Sequence, residues 1–135
     1  GGDSMKTDPA GTMSAILSGY QNKIFSDLHV GFLCKVISYD SGKCTADVQP
    51  LIKTTADAPA MIQGAQVLAH RFIVNGGEPQ VYKPDLKQGD IVFVVCADRE
   101  IKNALNGSVA TASTDRQHDV NDAVVMGVLG CSLSN

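Results

Sequence analysis

The stretch that decides the fold is Val30-Gly31-Phe32-Leu33-Cys34-Lys35-Val36-Ile37-Ser38-Tyr39, followed by Asp40-Ser41-Gly42 and then Lys43-Cys44-Thr45-Ala46-Asp47-Val48-Gln49. A long β-prone run, a turn triplet and a returning run that alternates apolar and polar residues spell a β-hairpin. Phe32, Cys34 and Val36 fall on one face with Cys44, Ala46 and Val48, so that face is the one to be buried. Pairing across a three-residue loop would set Lys35 opposite Asp47, a favourable cross-strand charge pair.

Outward from the hairpin, strand grammar continues toward the C-terminus. Thr54 to Gly64 is small and loop-like, and Val67 to Val74 reads as a strand closed by the turn cluster Asn75-Gly76-Gly77-Glu78-Pro79. Leu86-Lys87-Gln88-Gly89-Asp90 is a second turn, where glycine supplies the positive φ that a tight reversal needs. Ile91 to Ala97 is the most hydrophobic strand, and so continuous an apolar run must be covered on both faces, by a closed barrel or by another subunit. Gly107 to Gln117, rich in Ser, Thr and Ala, reads as an exposed loop, and Ala123 to Leu129 as the last strand.

Toward the N-terminus the period changes. Met13, Ile16, Leu17, Tyr20 and Ile24 recur at helical spacing, with Asp8 as a cap and Pro9 in the first turn. The expected fold is therefore all-β, a five-stranded OB-type Greek-key barrel with an N-terminal amphipathic helix. Residues 1–12 read as a tag remnant and flexible N-terminus, with Met5 as a native start. Residues 13–27 form the helix, 28–131 the barrel and 132–135 a C-terminal tail.

Composition narrows the function classes. At 135 residues there is room for one core, and 44% hydrophobic residues suffice to fill it. Charged residues are only 19%, which leaves more neutral or apolar surface than a lone monomer carries and points to a subunit interface. A net charge of −3 draws the chain neither to phosphate backbones nor to anionic membranes. Cys34, Cys44, Cys96 and Cys131 match no zinc or redox spacing and read as buried small hydrophobes in a reducing compartment. Seven aromatics, none of them Trp, are scattered rather than interleaved with Lys and Arg, which argues against a nucleic-acid groove.

The richest chemical string is Arg116-Gln117-His118-Asp119-Val120-Asn121-Asp122. His118 with Asp119 and Asp122 offers a partial shell for a divalent metal, or a His-Asp pair for acid-base work in a hydrolase. Turn-capping by Asp and Asn explains the same residues, because these side chains bond their own backbone. Asp98-Arg99-Glu100, at the end of the apolar strand, reads as a solvated ion-pair cluster or an inter-subunit salt bridge. No nucleophile elbow, phosphate-cradling loop or H-E-x-x-H motif occurs, so the expectation is a protein without catalytic, cofactor-binding or metal-binding residues.

Three stretches together resemble the N-terminal OB domain of central spike proteins of contractile-tail phages and prophages. The opening hairpin ends in Thr45-Ala46-Asp47-Val48-Gln49-Pro50, similar to a strand of the form A-x-V-Q-P. Lys87-Gln88-Gly89-Asp90-Ile91-Val92-Phe93-Val94, with Asp98-Arg99 after it, resembles the family's G-D turn and apolar strand. Arg116 to Val124 resembles its R-x-H-x-x-x-D-A segment. The residues carrying the likeness are thus Gln49, Pro50, Gly89, Asp90, Arg99, Arg116, His118, Asp122 and Ala123, all structural in that family. The resemblance implies a homotrimer on the tail axis of a virion baseplate, made in the bacterial host cytoplasm and joining the tail hub to the spike tip. It implies no nucleic acid and no stable membrane association of this segment. Membrane-piercing spikes continue into a trimeric β-helix with a tip that is sometimes metal-capped. No such repeat occurs up to Asn135, so neither piercing nor a tip metal carries over. The competing expectation is an OB-fold binding module for single-stranded nucleic acid or an oligosaccharide.

Overall fold

The computed structural model describes residues 9–27, 30–53 and 56–133. Asp8 and His29 lie outside them. The elements are α1 (Pro9–Asp27), β1 (Gly31–Asp40), β2 (Thr45–Pro50), β3 (Ile62–Val67), β4 (His70–Phe72), β5 (Gln80–Tyr82), β6 (Ile91–Cys96) and β7 (Ala123–Val128). Five of the strands close into a barrel in the order β1-β2-β3-β7-β6, with β1 back against β6. Neighbours are antiparallel except β3 and β7, which run parallel through Gln66↔Val124 and Val67↔Val125. The expected all-β, five-stranded OB-type barrel with an N-terminal helix is the fold observed.

The hairpin β1–β2 buries the face its alternation selects. Cys34, Val36, Ala46 and Val48 are in the core, and Phe32 and Cys44 pack against it. Val92, Val94, Cys96, Ala123 and Val125 complete the interior from β6 and β7, so the barrel is filled by Val, Ala and Cys. Such small side chains suit a narrow barrel whose opposite walls stand close together.

The hairpin register differs from the expected one. Lys35 faces Gln49, and Asp47 faces Ser38. The turn spans Ser41 to Cys44, with Cys44 at φ 53°, and a bulge interrupts the ladder between Val36 and Ser38. One extra residue in β1 shifts every later pair. Asp47 accepts from Ser38 Oγ at 3.0 Å and from the Gly64 amide at 2.8 Å, so it bonds to β1 and β3 without a lysine.

Two further boundaries move. Ile62 to Gly64, expected as loop, belongs to β3, while the expected strand Val67 to Val74 is split between the end of β3 and β4. β4 pairs only with β5, forming a two-stranded arm with the Asn75-Gly76-Gly77 turn at its tip. Residues 68–83 of this arm are all exposed. Residues 9–12, expected in a flexible N-terminus, are helical. Every described side chain of α1, residues 10–23, is exposed, so the stripe of Met13, Ile16, Leu17 and Tyr20 is not buried against the described residues of the chain. Ser132, placed in the tail, instead accepts from the Ile91 amide through Oγ at 2.8 Å. No helix among the described residues is long and apolar enough to cross a membrane.

Candidate functional site

The segment that follows β6 and the segment that precedes β7 are laced together residue by residue. Asp98 Oδ1 lies 3.4 Å from His118 Nε2. Arg99 donates to the Gln117 side-chain oxygen at 2.6 and 3.2 Å when that amide is turned to face the guanidinium. Glu100 Oε2 accepts from Thr114 Oγ1 at 2.8 Å and stands 3.9 Å from Arg116 Nη1. The Ile101 amide donates to Asp122 Oδ1 at 3.2 Å. Main-chain bonds reinforce the lacing, from the Ala97 amide to the Asp122 carbonyl at 2.9 Å and from the His118 amide to the Ala97 carbonyl at 3.2 Å. Asp98-Arg99-Glu100 is therefore an intrachain clasp whose first two residues remain exposed, in keeping with the solvated ion-pair cluster expected.

Asp122 is its centre. It is 1% exposed, the buried charged residue among those described. Arg116 meets it with both arms of the guanidinium, Nε to Oδ2 at 2.6 Å and Nη2 to Oδ1 at 2.7 Å. A bidentate, charge-assisted pair of this geometry offsets the cost of removing a carboxylate from water. The Arg116 bond, aided by the Ile101 amide, holds the Asp122 carboxyl below its ordinary value against the opposing push of burial, and the Arg116 guanidinium is raised by the same bond. A shallow cleft of about 190 Å³ opens beside the pair, lined by Gln66, Ile101, Lys102, Arg116 and Asn121 among others. It is smaller than the roughly 300 Å³ at which small-molecule sites begin.

The three residues weighed as metal ligands do not converge. Asp122 is engaged by Arg116. Asp119 caps the short 3-10 turn Val120–Asp122, accepting from the Asn121 amide at 2.9 Å and from Asn121 Nδ2 at 2.7 Å. His118 sits at φ 45° and turns toward Asp98. Among the described residues no group of three His, Cys, Asp or Glu side chains is placed to hold a metal ion.

The remaining family-matching residues also hold backbone. Gln49 Nε2 donates to the carbonyls of Pro50 at 3.1 Å and Pro59 at 2.7 Å, fastening the connection after β2. Gly89, at φ 94°, and Asp90 form the reversal before β6, with Asp90 Oδ2 accepting from the Lys87 amide at 2.9 Å. The Gly89 amide donates to the Val36 carbonyl and the Val36 amide to the Asp90 carbonyl, both at 2.8 Å, so this turn docks beside the β1 bulge. Ala123 is buried at the start of β7. Tyr39, read only as part of the first strand, also donates its hydroxyl to the Pro84 carbonyl at 2.7 Å and ties the chain ahead of the turn to the barrel, a long-range contact with no local signal.

The family model described as phage protein Gp138 N-terminal domain matches residues 32–128, which run from β1 to the last residue of β7. The chain belongs to the Gp138 N-terminal domain family of phage proteins. The match covers all of the five-stranded barrel of this Gp138-type domain except Gly31, together with the arm and the clasp, while α1 precedes it. No curated protein matches the chain.

Proposed function

We propose that this Gp138-type domain is a non-catalytic structural module of a phage or prophage tail baseplate, a trimeric central-spike piece linking the hub to the spike tip. The observation that carries the reading is the use made of the polar residues. The segment richest in chemistry, Arg116 to Asp122, is spent on fastening two stretches of backbone, and its one buried carboxylate is fully engaged. A part that transmits axial load needs such cross-links and a barrel without free edges. Exposed apolar surface on α1, on the arm and on the outside of β6 supplies material for threefold assembly. Light scattering coupled to size exclusion tests this, with a mass near three times 14.2 kDa expected across concentrations and a persistent monomer refuting the trimer.

A second reading, a binding module for single-stranded nucleic acid or an oligosaccharide, is favoured by one feature. His70 and Phe72 stack at 5.2 Å on the arm, with Tyr82 5.6 Å from Phe72. Base-stacking platforms sit in positively charged grooves, and this chain is net negative. An oligonucleotide and oligosaccharide panel separates the readings, since only the binding module gives saturable affinity, salt-dependent for the nucleic acid.

A further inference from the structure

The chain holds two Asn-Gly pairs, Asn75-Gly76 and Asn106-Gly107, both on exposed backbone. In such a pair the main-chain nitrogen of the glycine can attack the side-chain carbonyl carbon of the asparagine, since glycine has no side chain to crowd the ring that forms. The two pairs differ in what holds the attacking nitrogen and the attacked carbonyl. Asn106-Gly107 is tied at both. The Gly107 amide donates to the Ala104 carbonyl at 3.0 Å, and Asn106 Oδ1 accepts from the Ser108 amide at 3.0 Å. Asn103 cross-links the surrounding loop, its Nδ2 donating to the Thr111 carbonyl at 3.2 Å and to Ser113 Oγ at 2.8 Å. Ring closure there requires the Gly107–Ala104 bond to break and the Asn106 side chain to leave Ser108.

Asn75-Gly76 stands at the tip of the arm. Asn75 at φ 52° and Gly76 at φ 70° are the central residues of a reversal of the type I′ pattern, closed by the Gly77 amide donating to the Val74 carbonyl at 3.0 Å. Among the described residues neither the Gly76 amide nor the Asn75 side chain has a hydrogen-bond partner. The β4–β5 ladder ends at Phe72↔Gln80, short of the tip, and residues 73–79 are all exposed. A reversal so placed opens at small cost, because loop tips lie at the low end of local stability.

We propose that Asn75 is a site of spontaneous, backbone-assisted deamidation, and that Asn106 is held against the same reaction. In the opened tip the Gly76 amide gives its proton to hydroxide, and the nitrogen bonds to Asn75 Cγ. The Cγ–Nδ2 bond breaks, and that nitrogen leaves as ammonia after taking a proton from water, which leaves a cyclic imide. Water then opens the imide at either carbonyl, giving aspartate or isoaspartate. The net change is one water consumed and one ammonia released, with no oxidant, reductant or cofactor. Both products add one negative charge. Arg71 and Lys83 against Glu78 give the arm +1, so conversion takes the arm to 0 and the chain from −3 to −4. Isoaspartate also routes the main chain through its side-chain carbons, so the two-residue reversal no longer has the geometry that joins β4 to β5.

The test incubates the full chain at mildly alkaline pH and follows it by ion-exchange chromatography and mass-spectrometric peptide mapping. The expected result is a more acidic species with aspartate and isoaspartate at position 75, forming several-fold faster than any change at position 106. In guanidinium chloride, where neither pair keeps its bonds, the two positions should convert at similar rates. Asn75→Gln should abolish the acidic species, because the longer side chain closes a less favourable ring. The proposal is overturned by a folded chain in which Asn106 matches or outpaces Asn75, or in which neither converts. It is equally overturned by an acidic species that persists in Asn75→Gln, or by an Asn106 that stays slow in the denatured chain, since its protection would then owe nothing to the fold.

Discussion

At the scale of single residues, Asp122 carries the most consequence. Removing one member of a buried ion pair costs about 3–5 kcal/mol. Arg116 keeps 27% of its side chain in water, which places Asp122→Ala near the lower end, at about 3 kcal/mol, readable by urea denaturation. Its pH dependence follows from the lowered carboxyl. A group whose folded value lies below the unfolded one contributes stability that is complete above the unfolded value, 3.8, and is lost as pH falls through the folded value. Stability is therefore expected to be level from neutrality to about pH 5 and to fall below about pH 4, with Asp122→Asn showing a shallower acid limb. The thiols give a second residue-scale test. All four cysteines are free. Burial pushes Cys34 up to about 12 and Cys96 up to about 11, while Cys131 is exposed. A thiol reagent at pH 8 should label Cys131 in the native protein and reach Cys34 and Cys96 only on unfolding. The sequence displayed the Arg116 to Asp122 string but not its use. Partners such as Asp98, Glu100 and Ile101 lie outside any local spacing rule and become neighbours only when β6 and β7 pair.

At the scale of elements, legibility followed side-chain alternation. β1, β2, β6 and β7 bury one face each or lie in long apolar runs, so their existence and inward faces could be read directly. β3 could not, because Gln63 and Gly64 break its pattern, and the arm was fused to it because Leu68 and Ala69 carry no turn signal. The four-residue turn Ser41 to Cys44, longer than the triplet Asp40-Ser41-Gly42 suggests, moves Lys35 away from Asp47, and the bulge at Val36–Ser38 then sets it opposite Gln49; neither feature shows in residue type. That bulge is matched by the Gly89–Asp90 turn, and the turn depends on Gly89 holding φ 94°. Gly89→Ala has open space for its methyl, so its cost is conformational. We expect a loss of about 1 kcal/mol or more, seen as a thermal midpoint several degrees lower. Gly127→Ala, where no positive φ is recorded and space is also open, serves as the comparison and should cost less.

At the scale of the whole molecule, the interior is small and much of the outside is apolar, so the assembly proposed above would make association and folding joint problems. Dilution should lower the thermal midpoint of the assembled protein, because a subunit contact stabilises by mass action. A midpoint independent of concentration across two decades would mean that the barrel draws no support from neighbours. The parallel seam between β3 and β7 has a further effect, on the order of events during synthesis. Gln66 and Val67 must wait for Val124 and Val125, nearly sixty positions later, before their ladder can form. Until then β6, β1, β2 and β3 can pair only as an open sheet with raw edges on β6 and β3, and no native cylinder can exist on a chain that stops short of β7. A nascent chain thus acquires its closed barrel late and all at once, when β7 leaves the ribosome.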